Sequence, residues 1–197
     1  QNSDGRLLEL KDLLRDATEH ATLLAKKLHD KRMIAAEELS ARVIETLVFL
    51  DMPKVSFRVN TQKVKNATGE YILSPNGYDR VDFLISANSG EDMQSLSMVA
   101  SGGELARMML ALKSVENSLD ESTTMVFDEI DTGVSGKTAR KIGLKLLALS
   151  KRTQIFCVTH SAQIASLADD HLLIAKAERD GRTETSVTLL DEEGRIR

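Results

Sequence analysis

The stretch TMVFDEIDTGVSGKT, residues 124–138, decides the fold because an apolar run leads directly into two carboxylates. In an open α/β sheet, ligands bind beyond the carboxyl ends of the strands, where such acids would lie. Asp128 is therefore a candidate Mg²⁺ residue that acts through water, and Glu129 is a candidate base for an attacking water. The alternative is that both acids only lead into a turn. Because Asp131 or Ser135 can cap the next helix without them, the pair favours chemistry.

The end of the same stretch, Gly-Lys-Thr, is how a phosphate-binding loop finishes. Such a loop has the pattern G-x-x-x-x-G-K-[ST], which requires a glycine five residues before Gly136. Asp131 stands there instead, and its charge would repel a phosphate. Gly136 is more simply the start of a helix capped by Ser135. We predict no phosphate-binding loop, and a self-contained enzyme that uses Lys137 and Thr138 remains the alternative.

The residues around this stretch predict alternating helices and strands. The predicted elements are helix 102–119, strand 123–128, helix 136–149, strand 153–158, a short helix from Ser161, and strands 171–177 and 183–190 joined through Asp180-Gly181. Strands that are apolar throughout and lie between helices are typical of a sheet covered on both faces. The fold class predicted for this part of the chain is therefore α/β.

The N-terminal part has a different period. Residues 6–50 contain no proline or glycine, and leucine and alanine repeat at alternating steps of three and four from Leu7 to Leu28. This spacing predicts a coiled-coil seam, whose register breaks near Asp30 and restarts at Met33. We predict a helical coiled-coil arm over residues 1–50 and a head domain over residues 51–197. Two amphipathic helices of an ordinary bundle are the alternative.

Between the arm and the α/β part, the apolar period changes to two. Alternation at Val55, Phe57 and Val59, and again from Val81, predicts two strands. The sequence Ser-Pro-Asn-Gly at 74–77 predicts a turn between them. Residues 88–100 are predicted to be loop.

Ser101-Gly102-Gly103-Glu104 opens the helix 102–119, and it has two interpretations. A capping box would use Ser101 and Glu104 to bond the first backbone amides of the helix. That motif does not need two glycines, each of which lowers helix stability. Missing side chains let a ligand approach the backbone, and a helix N-terminus attracts anions. The sequence leaves both interpretations open.

Composition limits the classes of protein to consider. The chain has 197 residues, 42% of them hydrophobic and 28% charged, and a net charge of -4, which is typical of a globular protein. No apolar run approaches the ~20 residues of a membrane span. The single cysteine, Cys157, favours a reducing, cytoplasmic setting. His160 ends a buried strand and could donate to a phosphate, although a lone histidine is more often structural.

A contact with DNA depends on one basic helix. Lys137, Arg140, Lys141 and Lys145 recur at roughly helical spacing, and two more basic residues follow. A solvated outer face is the usual meaning of such a run. The low aromatic content, 4% without tryptophan, disfavours base stacking.

The motifs together, in this order, resemble the second half of an ABC-type ATPase head. In that family, residues 99–104 would be the signature motif, residues 124–129 the Walker B strand, residues 130–133 the D-loop, and His160 the switch histidine. The helix that enters from the N-terminal side makes the chain similar to SMC-like heads. In the sequences of these motifs, it resembles the bacterial DNA-repair members of that group. In such heads, the phosphate cradle (Walker A) belongs to a separate N-terminal lobe.

The resemblance implies a composite ATPase that acts in double-strand-break repair and recombination. ATP would be held between two heads of a homodimer, and this chain alone would be inactive because it lacks Walker A. Ser101, Gly102, Gly103 and Glu104 would contact ATP held by the opposite head, and Asp131 would communicate across the dimer. Asp128 would hold Mg²⁺ through water, Glu129 would activate the attacking water, and His160 would sense the γ-phosphate. A transporter cassette and a non-enzymatic coiled-coil adaptor are the alternatives.

Overall fold

The structure is a computed structural model that describes residues 3–86, 88, 90–98, 101–116, 124–179 and 182–195. The chain divides into two compact units, which consist of residues 1–45 with 54–99 and residues 46–53 with 100–197. Among the helices of the described ranges, none combines the length and the hydropathy that crossing a bilayer requires.

The first element is one uninterrupted helix, α1 (Ser3–Phe49), of 47 residues. It continues through the predicted register break near Asp30, so the alternative of two separate bundle helices is wrong. The predicted seam leucines in its first half, such as Leu7, Leu10 and Leu14, are all exposed. An exposed apolar seam of this length is typical of a helix that pairs with a second helix.

The first unit also contains a three-stranded antiparallel sheet in the order β1-β2-β3, formed by β1 (Ser56–Lys63), β2 (Asp79–Ser86) and β3 (Gln94–Ser95). Phe57 lies opposite Ile85 in the register, and both side chains are buried. The amide of Val59 donates to Ser40 Oγ of α1 at 3.1 Å. The segment 88–100, predicted to be loop, includes β3 and a short 3₁₀ helix at Leu96–Met98.

A charged cluster attaches β2 to α1. The Asp79 side chain is fully buried, with His29 Nδ1 2.7 Å from one carboxylate oxygen and Arg32 Nη1 3.1 Å from the other. Arg32 also donates to the carbonyl of Asn76 at 2.8 Å. The turn at 74–77 forms as predicted, and its Gly77 has a φ of +85°, which favours glycine.

These contacts explain why the division of the chain differs from the predicted boundary at residue 50. Residues 54–99 form one unit with residues 1–45, rather than with the α/β part that follows them. The period-two pattern indicated the strands, but it could not indicate that they attach to α1 through Ser40, His29 and Arg32.

Because Asp79 is buried with two basic partners, Asp79→Asn should lower the free energy of unfolding of the chain by about 2–4 kcal/mol. Urea unfolding followed by circular dichroism measures this change. The control is Asp16→Asn, which removes an exposed carboxylate of α1 that pairs with the neighbouring Arg15. The control should change stability by less than about 0.5 kcal/mol. Equal effects of the two substitutions would contradict the prediction.

The second unit has the predicted alternation of helices and strands. Its elements are α2 (Gly102–Val115), β4 (Thr124–Phe127), α3 (Gly136–Ser150), β5 (Gln154–Cys157), α4 (Ala162–Ala165), β6 (Leu172–Arg179) and β7 (Arg182–Leu189). β4 and β5 pair in parallel, with α3 as the connection, which confirms the α/β class. β6 and β7 form an antiparallel pair, and the Asp180-Gly181 connection predicted between them lies outside the described residues. Met108, Leu110 and Ile142 are buried in the core.

The prediction that the sheet is covered on both faces is wrong for this chain. Met125 and Phe127 of β4 are buried, whereas Val126 between them is 68% exposed. Phe156 and Val158 are also about half exposed. Alternate side chains of a strand point to opposite faces, so one face of β4-β5 is covered and the other is not. The residues of β6 and β7 include further exposed aliphatic side chains: Leu172, Leu173, Ile174, Val187 and Leu189.

The end of α1 belongs to the second unit and is attached to α3. Asp51 has a positive φ of 59°, and its carboxylate accepts from Thr138 Oγ1 at 2.6 Å and Lys141 Nζ at 2.5 Å. The hydrogen bonds from Lys141 and Thr138 lower the pKa of Asp51. Lys141 Nζ and Lys145 Nζ each lie 5.7 Å from the ring centroid of Phe49. Two residues of the basic helix therefore contact the chain itself.

Candidate active site

The parallel register of β4 and β5 brings the predicted site residues to one edge of the sheet. Phe127 and Cys157 are paired at the last position of the two strands, and the amide of Val158 donates to the Phe127 carbonyl at 2.9 Å. Asp128 therefore follows β4 at the same edge at which His160 follows β5. The sequence order predicted this meeting, because the carboxyl ends of parallel strands lie side by side.

Asp131 links the segment after β4 to the segment after β5. Its carboxylate is buried, and Oδ2 accepts from Thr159 Oγ1 at 2.5 Å and from the amide of His160 at 3.1 Å. His160 Nδ1 lies 3.4 Å from the same oxygen. Burial raises the pKa of Asp131, but the hydrogen bonds from Thr159 and the backbone amides together lower it by more. The net pKa of Asp131 is therefore below its ordinary value. The contacts of Asp131 described here are within one chain, and its role across a dimer stays a prediction.

Glu129 occupies an unusual backbone conformation. Its φ is +57°, in the left-handed region, which costs a residue with a side chain about 1–2 kcal/mol. The amide of Glu129 donates to Asp128 Oδ1 at 2.9 Å, and the amide of Thr132 donates to the Glu129 carbonyl at 3.0 Å. The segment 129–132 is therefore a tight turn, and we call it the acidic turn. Strain of this kind is found where a site imposes a geometry on its backbone.

The two glycines that open α2 leave space for the acidic turn. A Cβ atom at Gly102 would lie 2.5 Å from Glu129 Oε2, and one at Gly103 would lie 3.1 Å from the Glu129 carbonyl oxygen. A side chain at Gly102 would require the carboxylate of Glu129 to shift, and one at Gly103 would be crowded against the backbone of the turn. The carboxylate of Glu129 therefore lies beside the N-terminus of α2, whose first turn also contains the acidic residue Glu104. Ser101 is the N-cap residue, but in the part of the chain described its hydroxyl makes no capping hydrogen bond, so no capping box forms.

Arg107 is a contact of the acidic turn that the sequence interpretation missed. Its side chain extends from α2, is only 8% exposed, and donates through Nη1 to the carbonyls of Ile130 and Thr132, both at 3.2 Å. Burial lowers the pKa of Arg107. A signal was present, because position 107 lies on the same helical face as Gly103 and Leu110, at spacings of four and three. Thr159 was missed as well, although it belongs to the polar pair that ends β5.

The Gly-Lys-Thr sequence forms the first turn of α3. Ser135 Oγ accepts from the amide of Thr138 at 3.3 Å, which confirms the predicted cap. The hydroxyl of Thr138 donates to the carboxylate of Asp51, so its hydrogen bond is already made within the chain. This arrangement is the opposite of what a phosphate-binding loop offers to a nucleotide.

Known proteins were then compared with the chain. It is 39% identical over 205 aligned positions to the DNA repair protein RecN of Bacillus subtilis (strain 168), which covers 100% of the chain and 36% of that protein. It is 43% identical over 185 positions to RecN of Treponema pallidum (strain Nichols), which covers 88% of the chain and 31% of that protein. Over its own length, the chain belongs to the RecN family. It spans about one third of the length of these relatives.

No protein-family model matches this RecN-family chain. Among solved structures, the Smc head domain with a coiled coil and joint from Pyrococcus yayanosii is similar, with a TM-score of 0.54 and 19% identity over 98% of the chain and 36% of that structure. This likeness shows that the chain has the fold of an SMC head domain with an adjoining helical arm.

Negative charge near the acidic turn also affects the cysteine of the RecN-family chain. Burial, followed by the charges of Asp131 and Asp128, raises the pKa of Cys157 to about 11. The thiol is therefore protonated at neutral pH and has little nucleophilic character. In the described ranges, no group of three or more His, Cys, Asp or Glu residues could hold a metal ion. A divalent cation at Asp128 would thus need most of its ligands from water or a bound substrate.

The buried carboxylate of Asp131 should make the stability of the chain dependent on pH. Because its folded-state pKa is lowered, its contribution is present above the unfolded-state pKa and is lost as the pH falls through the folded-state value. Asp131→Asn should therefore lower the free energy of unfolding by about 1–3 kcal/mol at pH 7, and the difference should shrink below pH ~4. Urea unfolding over this pH range measures it, with the exposed Asp170→Asn as the control. A difference that grows on acidification would contradict the prediction.

Proposed function

We propose that the chain is the carboxyl-terminal part of an SMC-like ATPase head that hydrolyses ATP with Mg²⁺ and acts in DNA double-strand-break repair and recombination. The observation that carries the proposal is the meeting of Asp128, Glu129 and His160 at one sheet edge of the second unit, beside the N-terminus of α2. The relatives are named as DNA repair proteins, which supports the biological role.

Asp128 is the residue proposed to act on Mg²⁺, through a water ligand. It is exposed directly after β4, and one carboxylate oxygen accepts from the Glu129 amide, which orients the group. A single carboxylate suits Mg²⁺, which keeps several water ligands and takes others from phosphates. When bound, Mg²⁺ neutralises charge on the phosphates of ATP. The role of the protein is to hold that hydrated ion at the edge of the sheet.

Glu129 is proposed to orient the attacking water and to accept its proton. Its carboxylate is exposed, at the end of a strand, where a water can approach it. His160 is proposed to donate a hydrogen bond to the γ-phosphate. Because Nδ1 of His160 lies close to Asp131 Oδ2, Nε2 is the ring nitrogen that would make this bond.

Ser101, Gly102, Gly103 and Glu104 are proposed to contact ATP held by the second head of a homodimer. The N-terminus of α2 suits an anion, and in the single chain the carboxylate of Glu129 lies beside Gly102. A phosphate at this position would have to displace that carboxylate from Gly102. In the proposal, Asp131 transmits the arrival of the second head to the segment after β5, which it contacts.

The uncovered apolar surfaces support the proposed partner within the same protein. Val126, Phe156 and Val158 leave one face of β4-β5 exposed, and β6-β7 has further exposed aliphatic side chains. Clusters of exposed apolar side chains are typical of interaction sites. We propose that the N-terminal lobe with Walker A covers this face, and that a second helix pairs with the seam of α1. The proposed location is the bacterial cytoplasm, in association with the nucleoid.

DNA is the partner that this part of the protein supports least. Lys141 is paired with Asp51, and Lys145 lies over the ring of Phe49, so the basic helix offers fewer charges to a phosphate backbone than its sequence suggests. A DNA contact by α3 would rest on Lys137 and Arg140, which are exposed.

The first test concerns Glu129 in the full-length protein. Glu129→Gln keeps the shape of the side chain but removes the base, so kcat for ATP hydrolysis should fall by about 10²-fold or more, while ATP binding is retained. A phosphate-release assay and equilibrium binding of a fluorescent ATP analogue measure the two quantities. The matched control is Glu116→Gln near the C-terminus of α2, which should leave both unchanged. Normal hydrolysis by Glu129→Gln would remove the catalytic assignment of Glu129, whereas no ATP hydrolysis by the unchanged full-length protein would favour the non-enzymatic adaptor.

The second test separates a composite site from a self-contained one. Because Thr138 is bonded to Asp51 and Asp131 replaces the first glycine of a phosphate-binding loop, the chain by itself should not bind ATP with micromolar affinity. Isothermal titration with ATP and Mg²⁺ measures this affinity. Micromolar binding that is lost in Lys137→Ala would show a cradle within this chain and would overturn the composite site.

A further inference from the structure

We propose that Arg107 is a positioning residue for ATP hydrolysis, which holds the acidic turn so that Glu129 and Asp131 keep their places. The inference rests on the proposed role of Glu129. Arg107 lies on α2, one turn after the glycines that open the helix, and therefore joins the signature motif to the acids that follow β4.

The contacts of Arg107 are unusual for a buried cation. In the described part of the chain, no carboxylate forms an ion pair with its guanidinium, and its hydrogen bonds go to the backbone carbonyls of Ile130 and Thr132. Removing a charge from water is unfavourable unless polar groups replace the water. A residue that served only to fill space at this position could be apolar. The charge of Arg107 is directed at the acidic turn instead.

The acidic turn needs such support because its backbone is strained. Glu129 has a left-handed φ, and the carbonyl oxygens of Ile130 and Thr132 both lie 3.2 Å from one nitrogen atom. Two carbonyl dipoles that point at the same place repel each other, and a cation between them offsets that repulsion. Without the guanidinium, the two carbonyls would separate and the φ of Glu129 could relax. The carboxylate of Glu129 would then move with its backbone, away from the position proposed for activating water.

The surroundings of Gly103 indicate how closely Arg107 and the turn fit together. A Cβ atom there would lie 3.2 Å from Arg107 Nη1 and 3.1 Å from the Glu129 carbonyl oxygen. The start of α2 at Gly103 thus lies close to both the guanidinium of Arg107 and the backbone of the turn. On the far side of the turn, Asp131 is bonded to Thr159 and His160. A displacement of α2 would therefore move, through Arg107, both Glu129 and the segment after β5 that Asp131 contacts.

The test uses the full-length protein with Arg107→Met and Arg107→Lys. Met keeps much of the length of the side chain without its charge, and Lys keeps the charge but not the planar, multi-donor group. Arg107→Met should lower kcat about 10–100-fold with the Kd for ATP changed less than about twofold, because misplacing a catalytic group by ~1 Å has an effect of this size. Arg107→Lys should recover part of kcat. The control is Lys113→Met, on the same helix, where the cation pairs with Glu116.

Circular dichroism and thermal unfolding check that each variant is folded at the assay temperature. Wild-type kcat in folded Arg107→Met overturns the inference, as does a fall in ATP affinity as large as the fall in kcat. If Arg107→Met does not fold, Arg107→Lys decides: reduced kcat at unchanged Kd supports the positioning role, and wild-type kcat overturns it. The two failures are distinguishable. Normal hydrolysis by Glu129→Gln removes the proposed catalytic role of Glu129, on which this inference rests, whereas an inactive Glu129→Gln with a fully active Arg107→Met removes only the role of Arg107.

Discussion

The parallel pairing of β4 with β5 is the constraint on which the candidate site depends. The register aligns Phe127 with Cys157, so that the segments that follow both strands begin at the same level of the sheet. A shift of one residue would turn each side chain of one strand to the opposite face and separate Asp131 from Thr159. The helix α3 makes this pairing possible, because parallel neighbours need a crossover connection between them. The strand register therefore determines which residues are neighbours in the candidate site.

Two buried charges hold the acidic turn from opposite sides. Arg107 reaches it from α2 and bonds the carbonyls on either side of Asp131, while Asp131 itself bonds the hydroxyl of Thr159 and the amide of His160. Each charge is satisfied by neutral polar groups of the backbone or a hydroxyl, and not by a direct ion pair with the other. Such hydrogen bonds are directional, so they define the conformation of the turn as well as its stability. The segment between Asp128 and Thr132 is consequently better defined than its position in a loop suggests.

Much of this arrangement could be predicted from the sequence, and the reasons for success differ from those for failure. The order of the motifs predicted the α/β fold and the edge at which Asp128 and His160 lie, because topology alone determines which strand ends are neighbours. The cap at Ser135 followed from local chemistry. Helical spacing placed Arg107 on the face of Gly103 and Leu110, but its partners Ile130 and Thr132 and the left-handed backbone of Glu129 were not predicted, since they depend on packing between separate segments. The uncovered face of β4-β5 was missed because the apolar pattern of a strand does not show whether the element that covers it belongs to the same chain.

The grouping of residues 54–99 with the first 45 residues has a similar explanation. Alternating apolar residues predicted the strands, but the burial of Asp79 against His29 and Arg32 depends on two charged side chains of α1 that look like ordinary surface residues. Charged positions on a long helix are normally solvated, and only a partner from elsewhere distinguishes them. The seam leucines of α1 show the reverse situation: their spacing predicts a second helix as the partner, and those of the first half of the helix are exposed.

The positive φ of Glu129 has a consequence for how this protein tolerates change. Glycine adopts that backbone conformation without penalty, so a glycine at position 129 would ease the turn while removing the acid. Selection for thermal stability alone would therefore favour loss of the carboxylate. The fold holds in place a residue that its own backbone disfavours, and a more heat-resistant variant found at this position should be suspected of having lost activity.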